Sequence, residues 1–367
     1  MPDWRIEKSA ISASKIGHKV MFGGRRPTAE YFTNYDKHRI FCKIYEVNWD
    51  YKAKVGISIF WHVVRKQVEK VIRESNPDIV HAHNIFAAKM ISEFKIPFVY
   101  DDHEYWPVYI KTLSELPLDW HILQPKEAAM VLLKRKLIHS FTEWEKELVS
   151  NAPTIVTTNK VAEELEFSTG NTDRIFVIPN VPLKCEVEGF KNPIFHNTVS
   201  SVYVGKDKKT DASRPHRNMD GLTDVFTNNN IGNLTMIGVN GKSSENIKYL
   251  GILPRREMYE VMFKHSIGLI PYKKHWSHFY RDTNKAYEYA HAGLFVMSVS
   301  SLDNVVSNLD DNCATFEDYN DMASHLKHFR EYSEELYSRR LKSFEFAHKN
   351  LVWEKYEKNI LCAYQSC

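Results

Sequence analysis

Residues 98–107 read FVYDDHEYWP, a short apolar run that ends abruptly in four polar side chains. Asp101, Asp102, His103 and Glu104 could ligate a metal ion, could transfer protons in catalysis, or could form a solvated loop without chemistry. The choice depends on which other residues the fold brings to this place.

A metal site here needs further ligands that converge. His81 and His83 alternate along a preceding strand and would share one face, with Asp102 and His103 approaching from the neighbouring strand. No further His, Asp or Glu set follows at ligand spacing, and the 17 histidines are spread over the chain. We therefore expect no functional metal. A Ser–His–Asp hydrolase is disfavoured too, since no G-x-S-x-G turn follows a strand.

A second group of candidates lies in PYKKHWSHFYRDTNKAYEYAHAG, residues 271–293. N-cap types ending in Asn284 precede a helix that carries Lys285 and Glu288. A helix N-terminus offers free backbone N–H groups and partial positive charge, which suit a phosphate, while a carboxylate one turn further in can accept hydrogen bonds from sugar hydroxyls. A capped helix with a surface salt bridge explains the same spacing, so the spacing alone does not distinguish a phosphate-binding site from an ordinary helix.

The third group is basic and spans residues 205–221, GKDKKTDASRPHRNMDG. Lys206 follows a predicted strand, and Arg214 and Arg217 precede a helix. Cations at such positions suit a pyrophosphate. A solvated loop is the ordinary alternative for a charge run, and it fits Lys208 and Lys209 better.

All three groups fall at the ends of predicted strands, because short apolar runs alternate with helical spacing along the chain. Such alternation predicts an α/β fold with two doubly wound parallel sheets, whose ligands lie beyond the carboxyl ends of the strands and in a cleft between the domains. The predicted linker is the proline-containing segment 181–198. Strands are predicted at 78–83, 97–102, 152–159, 174–180, 200–205, 234–239, 267–272 and 294–299, and helices at 54–74, 86–95, 160–167, 217–227, 255–266, 284–293 and within 317–364.

Composition agrees with a globular protein of more than one core. The chain has 367 residues, of which 43% are apolar and 26% charged. Its 49 basic and 46 acidic residues give a net charge of +3, so nothing favours nucleic-acid binding. Five scattered cysteines without a CxxC pair, no apolar run of membrane-spanning length and a polar N-terminus predict a cytoplasmic protein.

Peripheral membrane contact stays open. Residues 126–149 mix apolar positions with Lys126, Lys134, Arg135 and Lys136. A basic amphipathic helix can lie on anionic lipid, although an ordinary packed helix with a wet face is the preferred interpretation.

Four stretches, in this order along the chain, together resemble the retaining, nucleotide-sugar-dependent glycosyltransferases of family 4, which have the GT-B fold. They are PDIVHAHNIFAAKMISEFKIPFVYDDHEYW, WEKELVSNAPTIVTTNKVAEEL with RIFVIPNVP, YLGILPRREMYEVMFKHSIGLIPYK and NKAYEYAHAGLFVMSVS. The resemblance implies two Rossmann-like domains, 1–185 on the acceptor side and 195–348 on the nucleotide-sugar side. It also implies that 349–367 form a helix that packs back on the first domain.

The resemblance gives each candidate a role. His103 matches the catalytic histidine that faces donor sugar and acceptor, and Glu288 matches the carboxylate that binds the ribose. The other donor-side positions are Lys206, Arg214, Arg217, Gly251, Leu253, Asn284 and Lys285. The acceptor or cleft positions are His83, Asp102, Glu104 and Asn180.

The implied activity is transfer of a sugar from a nucleotide-sugar donor to a hydroxyl of a glycan or lipid-linked acceptor. It would proceed with retention of configuration and without a metal or cofactor, since cations and a helix N-terminus can stabilise a departing nucleoside diphosphate. One departure from the family is that PDWRIEKSAISASKIGHKVMFGG resembles its first helix and second strand, so its first strand and Gly-rich loop are not found. The alternative is therefore a weak or inactive nucleotide-sugar-binding protein that acts with a partner. A metal-dependent hydrolase is a distant third.

Overall fold

The computed structural model describes residues 4–25, 40–49, 58–114, 125–205 and 214–367, without the side chains of 113–114 and 125–134. The chain forms two compact units. The first unit includes the chain up to Ile110, then Ala128–Ile178, and finally Tyr356–Cys367, while the second includes Pro179–Lys355. The units divide after Ile178 and not after residue 185, and the predicted linker 181–198 falls inside the second unit.

In the part of the chain that the structure describes, the first unit contains six parallel strands in two sheets. Strand β1 pairs with β2, and β3, β4, β5 and β6 form a second sheet in that order. Among the described residues no strand pairing joins the two sheets. The elements are α1 (Trp4–Lys15), β1 (Met21–Gly24), β2 (Lys43–Glu46), α2 (Ser58–Ser75), β3 (Val80–His83), α3 (Ile85–Ile91), β4 (Phe98–Asp102), α4 (Trp106–Ser114), α5 (Pro125–Asn151), β5 (Thr154–Val156), α6 (Asn159–Thr169) and β6 (Ile175–Val177).

Local sequence explains where these elements begin and end. Helix α2 buries Val64 and Val68 one turn apart and ends before Asn76-Pro77, since proline disfavours a helical conformation in the residue before it. Helix α3 begins at a cap, where the Asn84 side chain accepts hydrogen bonds from the backbone N–H groups of Phe86 and Ala87. The cap turns the chain sharply at the end of β3, which leaves the last residues of that strand at the sheet edge.

Strand β4 presents chemistry on both of its faces. Side chains alternate along a strand, so Tyr100 and Asp102 share one face and Asp101 lies on the other. Four of its five residues are buried, including both aspartates. Buried carboxyl groups need partners, so each face of β4 must supply its own.

The described residues of the second unit form one six-stranded parallel sheet. Its order is β12-β11-β10-β7-β8-β9, the doubly wound order in which the first and fourth strands of the unit meet at the centre. The elements are α7 (Lys184–Val187), β7 (Ser200–Val204), α8 (Leu222–Asn228), β8 (Asn233–Ile237), β9 (Ile247–Gly251), α9 (Arg255–Met262), β10 (Ile267–Ile270), α10 (Asn284–His291), β11 (Phe295–Val299), α11 (Asp303–Leu309), β12 (Cys313–Phe316), α12 (Tyr319–Glu331) and α13 (Ser333–Asn350).

The last helix, α14 (Glu357–Gln365), belongs to the first unit. Asn359 donates a side-chain hydrogen bond to the carbonyl oxygen of Val177 over 2.9 Å. Tyr364 hydrogen-bonds His81, with 2.9 Å between the hydroxyl oxygen and Nδ1. The chain therefore returns to the sheet of β3–β6, where α14 contacts β6 and β3.

All eight strands listed from the sequence overlap strands of the structure, so those predictions are confirmed. The elements that were not predicted include strands β2 and β12 and helices α4, α7 and α11. Within the described residues, no helix is long and apolar enough to cross a membrane.

Candidate functional site

Asp101, at the carboxyl end of β4, is the centre of a charged cluster in the first unit. Its side chain is fully buried, and Arg5 of α1 donates from Nε to both carboxylate oxygens, over 2.9 and 3.1 Å. Arg5 also donates from Nη1 to the carbonyl oxygen of Ile178. Burial alone would raise the pKa of Asp101, but the Arg5 charge and the neighbouring imidazoles of His103 and His81 hold that pKa well below its usual value. Asp101 is therefore a permanent anion.

Three histidines surround this anion. His81 Nε2 and His83 Nδ1 each lie 3.3 Å from Asp101 Oδ2, and the two rings stack with centroids 4.3 Å apart. His103 Nδ1 lies 3.8 Å from Oδ1. Burial, and then the neighbouring His81, lower the pKa of His83 well below its usual value, so this ring is neutral at physiological pH.

One subset of the cluster has the spacing of metal ligands. A nitrogen each from His81 and His83 and an oxygen of Asp101 lie within 4.8 Å of one another. The metal hypothesis from the sequence put Asp102 beside His81 and His83. That placement is wrong, because side chains alternate along β4 and Asp101, not Asp102, faces the histidines. Since Arg5 already neutralises Asp101, a metal ion would have to compete with a buried guanidinium.

Asp102 faces the other way and shapes the loop that carries His103. Its Oδ1 accepts a hydrogen bond from the backbone N–H of Tyr105 over 3.0 Å, at a residue whose φ is +39°. The Asp102 side chain is only 1% exposed, whereas Glu104 is exposed. Burial raises the pKa of Asp102 to about 7, against the opposing effect of His103. Asp102 thus supports the loop from inside rather than lining an open surface.

In the second unit, the candidates gather where the doubly wound sheet reverses its order, between β7 and β10. Tyr203 lies in β7, and Tyr272 follows β10. Lys285 of α10 donates hydrogen bonds to both hydroxyls, over 3.1 Å to Tyr203 and 2.6 Å to Tyr272. Its ammonium group also lies 4.3 Å from the centre of the Tyr203 ring. The two phenols fix this cation at the place where ligands of such sheets bind.

Glu288 lies one turn further along α10 and has a cationic neighbour. Arg255, at the start of α9, places Nη1 3.1 Å from Glu288 Oε1 and Nη2 3.3 Å from Glu186. Gly251 ends β9 with φ of +63°, and the half-buried Leu253 precedes α9. The predicted ribose carboxylate is therefore already oriented by an arginine that the sequence analysis did not single out.

Asp282 organises the start of α10. It accepts hydrogen bonds from the backbone N–H of Asn180 (2.5 Å), the hydroxyl of Tyr287 (2.5 Å) and the side-chain amide of Asn304 (2.8 Å). Asn180 thus belongs to the second unit, although it was predicted in the first domain. Asn284 is exposed at the first position of α10.

Of the three predicted basic residues Lys206, Arg214 and Arg217, the structure describes two. Lys206 lies outside the described residues. Arg214 is exposed and precedes the short 3₁₀ helix Pro215–Arg217, where Arg217 is half-buried. These positions place both arginines after β7.

The first unit resembles a known sequence family, and the whole chain resembles solved structures in its fold. Residues 17–181 match the sequence profile of Glycosyltransferase Family 4. This stretch carries the family 4 glycosyltransferase pattern. The matched family 4 segment contains His83, Asp102 and His103. A search of curated protein sequences gave no match.

Solved structures share the fold along nearly the whole chain. Sucrose-phosphate synthase from Thermosynechococcus elongatus has a TM-score of 0.69 at 10% identity, covering 99% of this chain and 92% of its own. A glycosyltransferase from Rickettsia africae ESF-5 has a TM-score of 0.67 at 11% identity, covering 98% and 94%. Anabaena Alr3699/HepE, solved in complex with UDP-glucose, has a TM-score of 0.65 at 11% identity, covering 98% and 96%. These likenesses show the GT-B glycosyltransferase fold with two Rossmann-like domains.

Proposed function

We propose that the protein is a glycosyltransferase that moves a hexosyl group from a nucleotide-sugar donor to a hydroxyl of a glycan or lipid-linked acceptor, with retention of configuration. The observation that carries this proposal is the family 4 match over residues 17–181, which contain His103 in a built cluster. The UDP-glucose complex of the structurally similar Anabaena protein supports a nucleotide-sugar as the donor class.

The donor binds the second unit in this proposal. Lys285 and the N-terminus of α10 receive the diphosphate, because full and partial positive charge converge there. Thr283 precedes α10, and its side chain makes no capping bond to the N–H groups of the first turn. Glu288 accepts hydrogen bonds from the ribose hydroxyls, with Arg255 holding its Oε1. Arg214, Arg217 and Lys206 add charge for the pyrophosphate.

Departure of the nucleoside diphosphate is the step that this charge favours. As the bond between the anomeric carbon and the phosphate oxygen breaks, negative charge grows on the phosphate and is stabilised by cations already in place. The acceptor hydroxyl attacks from the same face and passes its proton to the leaving phosphate oxygen. His103 contacts the donor sugar and acceptor during this step, and no metal ion is required.

A thermal-shift screen against UDP, GDP, ADP and their common sugars tests the donor site. A ligand that binds only the folded protein raises the melting temperature, so a hit names the base. The matched pair Glu288→Gln and Glu260→Gln separates site binding from general effects, since Glu260 is an exposed acid that pairs with Arg256 on α9. We expect the shift to shrink only in Glu288→Gln.

Turnover then separates the two candidate functions. Incubation with the donor so identified and a crude acceptor pool should give sugar transfer, undiminished by a strong chelator. Donor binding without transfer or hydrolysis would instead support a nucleotide-sugar-binding protein that acts with a partner.

Peripheral membrane contact is a separate proposal. Arg135 and Lys136 of α5 are exposed, whereas the side chains of Lys126 and Lys134 lie outside the described residues. Co-sedimentation with anionic liposomes should fall when residues 134–136 are reversed in charge. Equal binding of the wild type and this variant would exclude the contact.

A further inference from the structure

The segment that follows β10 forms hydrogen bonds with two basic elements of the second unit. The hydroxyl of Tyr272 accepts a hydrogen bond from Lys285 of α10 over 2.6 Å. Lys273 and His278 donate instead to the turn that includes the 3₁₀ helix Pro215–Arg217. One stretch of chain therefore contacts both the helix and the turn whose cations the proposed function assigns to the diphosphate.

Two backbone carbonyl groups of this turn are held, one before and one after Arg217. His278 donates from Nε2 to the carbonyl oxygen of His216 over 2.9 Å, and the backbone N–H of Lys273 donates to the carbonyl oxygen of Asn218 over 2.8 Å. The His216 carbonyl belongs to the same planar peptide unit as the N–H of Arg217. The bond from His278 therefore fixes the plane from which Arg217 extends its side chain.

The His278 imidazole is itself fixed in place. It is fully buried, and its Nδ1 lies 2.7 Å from the hydroxyl oxygen of Ser301, which follows β11. Because a carbonyl oxygen only accepts, Nε2 must carry a hydrogen, and the Ser301 hydroxyl donates to Nδ1 of the neutral ring. The His216 side chain is also buried, at 7% exposure, so the turn is anchored from the interior of the unit.

We propose that His278 is a positioning residue for donor binding: its hydrogen bond to the His216 carbonyl fixes the peptide unit of Arg217 and so directs the guanidinium toward the diphosphate. His278 acts through Arg217 and needs no contact with the donor. The proposal rests on the proposed function, in which Arg217 adds charge for the pyrophosphate. A backbone that is already ordered lowers the entropic cost of binding, which raises affinity.

Two amide variants separate this hydrogen bond from the polarity of the side chain. The amide nitrogen of glutamine reaches about as far from the backbone as Nε2 of histidine, whereas that of asparagine reaches only as far as Nδ1. Calorimetric titration with UDP, GDP and ADP in turn measures the Kd. We expect His278→Asn to raise the Kd of the nucleoside diphosphate that binds about three- to tenfold, and His278→Gln to stay within about twofold. An equal rise in both variants would overturn the proposal.

His291→Asn is the matched control for lost stability. His291 is fully buried too, and its Nε2 donates to the carbonyl oxygen of Leu351 over 2.9 Å, at the opposite end of α10 from Lys285. This variant removes a bond of the same type and length, so it should lose stability without losing affinity. A rise in Kd as large as that of His278→Asn would show a general effect of destabilisation and overturn the proposal.

A double-mutant cycle tests whether the effect passes through Arg217. In the Arg217→Ala background His278→Asn should change the Kd no further, because the guanidinium that it positions is absent. A rise by the same factor in both backgrounds would overturn the proposal. If His278→Asn does not fold, as judged by circular dichroism, Ser301→Ala replaces it in the cycle. Loss of the hydroxyl at Nδ1 should raise the Kd about two- to threefold, and only while Arg217 is present.

Amide hydrogen exchange tests the anchoring without any ligand. The N–H of Arg217 donates to the carbonyl oxygen of Arg214 over 2.8 Å. His278→Asn should speed exchange of this amide at least about threefold relative to the amide of Val202 in β7, and His278→Gln should not. Unchanged exchange in His278→Asn overturns the proposal even if a nucleoside diphosphate binds. Selective acceleration supports it even if none of the three binds, a result that would count against the proposed function alone.

Discussion

Arg5 and Asp101 form an ion pair between α1 and the end of β4 in which both side chains are almost completely buried, at 3% and 1% exposure. The guanidinium reaches both carboxylate oxygens and the carbonyl oxygen of Ile178. Removal of one partner from such a pair leaves an uncompensated charge in the interior, which costs far more than the pair itself contributes.

Arg5→Met should therefore destabilise the first unit by about 3–5 kcal/mol. The free energy of unfolding, measured by urea denaturation, gives the value. Arg65→Met is the matched control: Arg65 also lies 2.9 Å from its partner, Glu93, but both side chains are about one-third exposed, so a loss of about 0–1 kcal/mol is expected. The double variant Arg5→Met/Asp101→Asn should recover part of the loss. Equal effects of Arg5→Met and Arg65→Met would contradict the role given to burial.

The sequence could predict the strands of this site but not its ion pair. Strand boundaries follow from local patterns, so β3 and β4 and the proline-limited end of α2 were found. Arg5 and Asp101 are separated by 96 positions, and nothing in a polar N-terminal segment marks one arginine as buried. Only the packing of α1 on the sheet brings them together.

The buried Glu145 of α5, which accepts a hydrogen bond from the Tyr100 hydroxyl, was missed for a related reason. It stands in EWEKEL, residues 143–148, where Glu143, Lys146 and Glu147 are exposed, and charge at helical spacing usually indicates a solvated face. Which charge turns inward depends on the orientation of α5 against β4. The metal hypothesis placed the wrong aspartate beside the histidines because the phase of β4 relative to β3 is fixed by their register, in which His83 lies opposite Asp101.

His103→Ala should lower kcat strongly while leaving the donor Kd nearly unchanged. In the proposed function His103 lies in the first unit and the donor binds the second, so loss of the imidazole removes contacts made during transfer rather than those that hold the nucleotide. Steady-state kinetics give kcat, and calorimetric titration with the donor gives Kd. His139→Ala is the control, since this histidine is exposed on α5 and should retain activity. Wild-type turnover in His103→Ala would exclude a catalytic role.

Glu288→Gln should chiefly weaken donor binding, and the Kd for the donor should rise about ten- to a hundredfold. The amide keeps the shape of the side chain but loses the charge that binds ribose hydroxyls and orients Arg255. Isothermal titration with the nucleoside diphosphate measures the effect. Tyr272→Phe provides a second probe, because it removes the hydroxyl that accepts a hydrogen bond from Lys285 Nζ over 2.6 Å. This variant should weaken binding of the diphosphate to a smaller extent. Unchanged Kd values in both variants would show that the donor does not bind at this site.

Buried histidines should make the second unit sensitive to acid. His278 is fully buried; its Nε2 donates to the carbonyl oxygen of His216 over 2.9 Å, and the hydroxyl of Ser301 lies 2.7 Å from Nδ1. Burial lowers the pKa of His278 to about 4, although the hydrogen bond to His216 opposes this, and burial likewise lowers the pKa of His291 to about 4. Both rings are thus neutral in the folded protein at pH values where the unfolded chain, with a pKa of about 6.5, already binds protons.

The contribution of these two neutral rings to the free energy of unfolding is fully present above about pH 6.5 and is lost as the pH falls toward about 4. The loss amounts to roughly 3 kcal/mol for each histidine. Urea denaturation at a series of pH values between 7 and 4.5 should show the free energy of unfolding falling over this window. His278→Gln should reduce the stability at pH 7 and flatten the pH dependence, because it removes one group that protonates only on unfolding. His325→Gln, at an exposed position of α12, should leave the slope unchanged. A slope that is equally steep in wild type and His278→Gln would mean that other groups cause the loss of stability in acid.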